Sequence, residues 1–337
     1  MKANRFLMPL ISVFLCLILC SCGNKFIYQN DQKINFNYNN ISAGACLYWI
    51  DESGVYFKQH DFLFNICRLD ENGKTKLSSV DDSCSRIQVY GNDMYYYDSA
   101  ILDNIYHFFK YDLSKDKKKK IATVKSKWIY DYLILDNSIF VVEGFDESLV
   151  KNLSVVSLKT GEKTEIEQNI LGFGVYNGAL HYATERGGVC TIYRYDSVKT
   201  EVASFSINGM NADKIYGINF ANDSVLLFEL FAPNITIYDF KTETVSSYPT
   251  RNPVDELIAF ENSAFYICGD DETDTLYCLN LDTKETVKIQ DFEAGIDLFV
   301  ASDENAYVCF PSSDSEKIQR YSIDGKFEDI IIDKKAR

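Results

Sequence analysis

A short turn carrying Asn or Asp, followed by an apolar-aromatic run, returns along this chain about every 42 residues. It stands at Asn92, Asn137, Asn177, Asn222, Asn262 and Asp303, at intervals of 45, 40, 45, 40 and 41 residues. A second marker keeps step with the first. It reads Tyr111-Asp112-Leu113, Tyr195-Asp196-Ser197, Tyr238-Asp239-Phe240 and Leu279-Asn280-Leu281, with weaker copies at Arg68, Ser157 and Ser322. Two markers in step imply one supersecondary unit copied along the chain, and a period of this length belongs to solenoids and propellers.

Each copy reads as four strands. In the clearest, Ile87 to Tyr90 is a strand, Gly91-Asn92-Asp93 a turn and Met94 to Tyr97 the next strand, followed by Ile105 to Tyr111 and Lys120 to Val124. Asn-Asp and Asn-Gly turns tolerate the positive φ that short hairpins require. Inner runs such as Tyr95-Tyr96-Tyr97, Leu133-Ile134-Leu135 and Val225 to Phe228 are apolar without alternation. A sheet with one wet face would alternate, so both faces of these strands are covered. The last strand of each copy differs. Lys118-Lys119-Lys120-Ile121, Lys163-Thr164-Glu165-Ile166 and Thr286-Val287-Lys288-Ile289 are charged, as suits an unpaired outer edge. Small sheets stacked side by side around an axis satisfy both patterns. The expected fold is an all-β propeller of seven four-stranded blades, at about 41–80, 81–124, 125–167, 168–206, 207–249, 250–290 and 291–333, with no helix. The first copy is the least regular and leaves six or eight blades as alternatives. Ile34, Phe36 and Tyr38 alternate with Asn35 and Asn37, and residues 34–38 are expected to complete the last blade.

Residues 1–21 do not belong to that ring. Lys2 and Arg5 precede an apolar stretch from Phe6 to Leu19 that ends in Leu19-Cys20-Ser21-Cys22-Gly23. This is a signal-peptide pattern, and its end resembles the bacterial lipobox. The resemblance implies cleavage before Cys22, lipidation of Cys22 and a stable membrane anchor outside the cytoplasm. Residues 22–33 then form a tether and residues 34–337 the propeller. Loss of Lys2 and Arg5 leaves 32 basic against 49 acidic side chains, a net of −17. That charge disfavours nucleic acid and anionic lipid surfaces as partners. Besides Cys22, the mature chain holds Cys46, Cys67, Cys84, Cys190, Cys268, Cys278 and Cys309. An odd count without regular spacing argues for buried free thiols. Cys268 and Cys278, which flank one hairpin loop, are the one pair worth testing as a disulfide.

At motif level Leu47-Tyr48-Trp49-Ile50-Asp51 resembles the Tyr-Trp-Thr-Asp strand of low-density-lipoprotein-receptor-type propellers, and Met94-Tyr95-Tyr96-Tyr97-Asp98 is a looser copy. The stretch from Arg68 to Leu77 is similar to strand exits of bacterial propeller lipoproteins of unknown function. The resemblance implies a propeller fold and surface anchoring, and carries no activity with it.

Catalytic signatures are missing. His60, His107 and His181 are the only histidines, and no HxxxH or HxH spacing offers a metal site. No GxSxG elbow is present. The acidic run Asp270 to Asp274 lacks the spacing and Gly of a calcium loop. No metal or cofactor is expected. The expected function is that of a binding or scaffolding module with a protein or glycan ligand. Trp49, Trp128, Tyr130 and Tyr132 are its candidate contacts, since aromatics at loop edges stack on sugars and anchor peptides. The alternative is an extracellular enzyme that acts on polysaccharide or peptide with carboxylates in the central funnel.

Overall fold

The computed structural model describes residues 47–51, 54–60, 64–70, 73–80, 87–100, 104–135, 137–144, 151–207, 209–211, 215–221, 223–229, 232–260, 262–269, 273–293, 298–301, 305–311 and 316–330. The signal segment, Cys22, the tether and strand 34–38 lie outside the described residues, as do Cys46 and Cys84.

Among the described residues there are 28 strands and no helix. The first blade holds β1 (Leu47–Asp51), β2 (Gly54–His60), β3 (Phe64–Asp70) and β4 (Gly73–Val80). The second holds β5 (Gln88–Tyr90), β6 (Asp93–Ala100), β7 (Ile105–Asp112) and β8 (Lys117–Lys125). The third holds β9 (Trp128–Leu135), β10 (Ser138–Gly144), β11 (Asn152–Ser157) and β12 (Lys163–Glu167). The fourth holds β13 (Ile170–Tyr176), β14 (Ala179–Arg186), β15 (Val189–Tyr195) and β16 (Lys199–Ser206). The fifth holds β17 (Ile215–Ala221), β18 (Ser224–Glu229), β19 (Asn234–Asp239) and β20 (Thr244–Pro249). The sixth holds β21 (Val254–Phe260), β22 (Ser263–Gly269), β23 (Asp274–Asn280) and β24 (Thr286–Phe292). The seventh holds β25 (Leu298–Ala301), β26 (Asn305–Pro311), β27 (Glu316–Ser322) and β28 (Phe327–Ile330).

Every sheet is an antiparallel meander in chain order, so its four strands come from one continuous stretch. The chain is thus a β-propeller of seven four-stranded blades. The inner strands β13, β17, β21, β25, β1 and β5 lie side by side in that order, Gln88 joins β5 to β9, and the third blade packs on the fourth. The seventh blade already has four strands from its own segment, with β28 outermost.

The two sequence markers are joined by a hydrogen bond. The residue after the third strand donates its N–H to the carbonyl of the first hairpin turn: Leu113 to Asn92 at 2.8 Å, Leu158 to Asn137 at 2.9 Å and Leu281 to Asn262 at 2.7 Å. In the fifth blade Phe240 donates to Asp223 at 2.7 Å. The polar residue at the strand exit then caps the next turn. Oδ1 of Asp112, Asp239 and Asn280 each accepts two successive backbone N–H bonds. Such Asx turns favour Asp and Asn at this place.

The cores lie between blades. Phe108 and Tyr97 of the second blade pack on Tyr132 and Ile139 of the third, and Leu226 of the fifth packs with Leu257 and Tyr266 of the sixth. The outer strands run exposed, as the charge pattern requires.

The inner strands present an unpaired backbone edge to the axis, and amide side chains close it. Gln88 on β5 is buried, donates Nε2 to the Tyr132 carbonyl at 2.6 Å and accepts the Ile134 N–H at 3.1 Å. Both partners are on β9 of the next blade. Asn219 on β17 repeats this, donating to Leu257 at 3.0 Å and accepting from Ala259 at 3.3 Å, both on β21. Each amide stands two residues before its strand's end. The fourth blade has Gly174 there, where a Cβ would meet the Phe220 ring at 2.9 Å, so close approach replaces the clasp.

Candidate functional site

Among the described residues, five of the seven inner strands carry a β-bulge near their first residue. The extra residue is Tyr48 in β1, Tyr130 in β9, Leu171 in β13, Tyr216 in β17 and Asp255 in β21. Bulges re-aim side chains and gather beside functional surfaces. Among the described residues, five stand where the inner strands begin, and five more lie in the outer strands β4, β8, β12, β16 and β24. The mouth of the ring where the inner strands begin is the candidate site, and three of its five bulged residues are tyrosines.

Of the sequence-predicted residues, Trp128 and Tyr130 stand together at the mouth of the third blade. Trp128 opens β9 opposite Gly144 with 49% of its surface exposed. Tyr130 is half-buried, with its ring against Gly144. Tyr132 is a correction. Strand alternation would put it on the face of Tyr130, but the bulge turns the two apart. Tyr132 is fully buried between the second and third blades, its hydroxyl donating to the Tyr95 carbonyl at 3.0 Å. Tyr130 packs toward the fourth blade. Packing uses the whole Tyr132 ring and leaves none for a ligand. Trp49 lies in β1, two blades from Trp128.

Sequence reasoning passed over Asp255. On the sixth blade its carboxylate and that of Asp274 converge over Gly269, at 2.8 and 2.5 Å from where a Cβ would stand. Burial, and then the charge of Asp274, push the Asp255 carboxyl above the ordinary carboxylate range. The same end also holds a cleft of about 380 Å³ between the third and fourth blades. Glu165, Glu167, Thr184, Glu185 and Arg186 line it, and Lys199 and Arg186 both pair with Glu167.

The described histidines serve packing. His181 is buried against Tyr176 and Phe220, with Nδ1 on the Ala179 carbonyl, and burial lowers its pKa. His107 meets the Thr123 hydroxyl at 3.1 Å on an outer part of the second blade. Among the described residues no group of three His, Cys, Asp or Glu side chains could hold a metal ion. Cys268 and Cys278 are free and buried in different interfaces, one toward the fifth blade and the other toward the seventh. Opposite faces of one sheet exclude a disulfide between them.

No protein-family model and no curated protein sequence matches this chain. Solved structures similar to it are β-propellers. The β-propeller domain of the trilobed protease from Pyrococcus furiosus, which has an open velcro topology, superposes with a TM-score of 0.59 at 12% identity, over 84% of this chain and 95% of that one. Hsv2 from Kluyveromyces lactis gives 0.56 at 13%, over 82% and 94%. An acylaminoacyl peptidase in complex with Z-Gly-Gly-Phe-chloromethyl ketone gives 0.60 at 13%, over 87% of this chain; the chain spans 53% of that peptidase. At these identities the likeness is one of fold.

Proposed function

We propose that this propeller is a binding or scaffolding module held outside a bacterial cell membrane by a lipid on Cys22, with its bulged mouth as the face that takes a protein or glycan ligand. The bulged mouth is the observation that carries the reading. Tyr48, Tyr130 and Tyr216 are the extra residues of three of its bulges, and Trp128 on the third blade has an exposed ring. Rigid aromatic anchors hold partners at low cost in side-chain entropy. The anchor rests on the Lys2-to-Gly23 pattern. Kinship with the Tyr-Trp-Thr-Asp propellers rests on β1 and β6 alone and is part of the same proposal. The net charge of −15 supports a partner other than nucleic acid.

Glycan and peptide arrays probed with the full chain test the ligand. Binding that falls at least tenfold in Trp128→Ala or Tyr130→Ala supports the mouth; unchanged binding in both removes it. Mass spectrometry of the N-terminal peptide from expressing cells reads the lipid on Cys22. The converging carboxylates of Asp255 and Asp274 support the second reading, hydrolysis of polysaccharide or peptide. Product formation on those arrays, lost in Asp255→Asn and in Asp274→Asn, would favour it over binding alone.

A further inference from the structure

The chain is acidic, yet two of its outer strands, on adjacent blades, carry lysine and no acid. The outer strand β8 carries Lys117, Lys118, Lys119, Lys120 and Lys125, and β4 of the first blade carries Lys74 and Lys76. The other outer strands balance or reverse this. β12 has Lys163 against Glu165 and Glu167, β16 has Lys199 against Glu201, and β24 has Lys288 against Asp291. β20 has no charge, and β28 has only Glu328 and Asp329. Edge protection needs charge of either sign, so it does not account for a run of one sign on two adjacent blades.

The two basic strands form one surface. Tyr111 of β7, opposite Lys118, donates its hydroxyl to the Leu77 carbonyl of β4, next to Lys76, at 2.7 Å. Seven described lysines outside the run, Lys110, Lys115, Lys163, Lys199, Lys241, Lys288 and Lys326, each pair with a carboxylate. Lys117 to Lys120 are exposed and none forms an ion pair with a described carboxylate. Lys118 Nζ sits 3.9 Å over the Phe109 ring, which holds that side chain on the outer surface.

We propose that this basic edge of the first and second blades docks on anionic phospholipid headgroups and so sets the ring edge-on to the membrane. The inference rests on the proposed Cys22 anchor, and two observations choose the occupant. The lysine charge complements an anionic leaflet, while the acidic remainder of the ring is repelled by it, which selects one orientation. The first described strand, β1 of the first blade, begins 25 positions after Cys22. An anchor at Cys22 keeps the ring within reach of the bilayer, and the lysine charge selects the edge that faces it. Each lysine close to an anionic surface strengthens the contact about fivefold, and salt weakens it.

The test is amine labelling of the full chain read by mass spectrometry, on vesicles of phosphatidylcholine alone or mixed with phosphatidylglycerol. Labelling of Lys117, Lys119 and Lys120 should fall severalfold on the anionic vesicles only and recover in high salt. Lys159 and Lys284, on other blades, should not change. A triple Lys117→Gln, Lys119→Gln, Lys120→Gln variant, shown folded by its melting curve, should lose the salt-dependent part of vesicle binding. Equal labelling on both vesicles overturns the proposal. So does protection by a soluble acidic peptide or anionic glycan without protection by vesicles, which would assign the edge to such a partner. Flotation is scored in the same samples. A chain that does not float refutes the anchor, while protection of the lysines by anionic vesicles still decides the edge.

Discussion

Replacing Gln88 by Met tests whether the amide clasps hold neighbouring blades together. The side chain is almost wholly buried and makes two bonds to β9, at 2.6 Å to the Tyr132 carbonyl and 3.1 Å from the Ile134 N–H. The Tyr90 hydroxyl donates to Oε1 at 3.1 Å and fixes which end is oxygen. Met keeps the length and can neither donate nor accept strongly. Its substitution leaves a buried carbonyl and a buried N–H without partners, at about 1–3 kcal/mol each. Burial of the more apolar side chain returns about 1 kcal/mol. The net loss is then about 1–5 kcal/mol. At about 2.1 cal/mol/K per residue of unfolding entropy, this lowers the melting temperature of a ring of this size by about 2–8 °C. Calorimetry measures the shift, and hydrogen exchange at the Ile134 amide locates it. Asn219→Leu breaks the equivalent clasp between the fifth and sixth blades, and the two losses should add, because the sites share no partner. A Gln88→Met protein within about 0.5 kcal/mol of the parent, with the Ile134 amide still protected, would refute the role assigned to the clasp.

Three further outcomes follow from the site and its surroundings. Burial and Asp274 raise the Asp255 carboxyl above its unfolded value, so the folded state favours the protonated acid and loses stability as pH rises through that window. Asp255→Asn should therefore melt higher than the parent at pH 7, with the gain fading below about pH 3.9; a gain that persists in acid contradicts the assignment. Burial pushes the Cys268 and Cys278 thiols up to about 11, so both should resist a thiol reagent at pH 8 until the ring is unfolded. Rapid labelling of either in the folded protein would place it at the surface. Trp128→Ala removes a side chain that is 49% exposed; the melting temperature should move by under about 2 °C, so that any loss of ligand binding reads contact and not folding.

The repeat was legible because its two markers bond to each other. A turn such as Asn92 and a strand exit such as Leu113 are tied by one backbone hydrogen bond, so they stay in step while the residues between them drift. The fourth blade keeps the marker with a different turn. Asp196 there donates its N–H to the Val198 carbonyl and Ser197 takes a positive φ. The mouth was hidden. A bulge is a mismatch between two strands, and Tyr48, Leu171 and Asp255 share no residue type that would announce it. Period-two reading therefore puts Tyr130 and Tyr132 on one face, where the ladder puts them on two. Likewise, the short separation of Cys268 and Cys278 suggested a pair, while the register sets Cys268 opposite Thr275 and Cys278 opposite Phe265, across the sheet from each other.

A ring of separate meanders has two sets of unpaired strand edges, and this chain treats them in opposite ways. At the outer rim, lysines and glutamates keep other strands away. At the axis no charge is needed, because each inner edge already faces the next blade. There the backbone groups are either met by an amide, as with Gln88 and Asn219, or brought under a ring, as with Gly174 beneath Phe220. Since no strand is exchanged between blades among the described residues, these axial contacts and the apolar cores between sheets carry the cohesion of the ring. That division leaves the rim free to vary in sign from blade to blade without loss of the fold. An accumulation of lysine on the outer strands of the first two blades is a change the architecture tolerates at no structural cost.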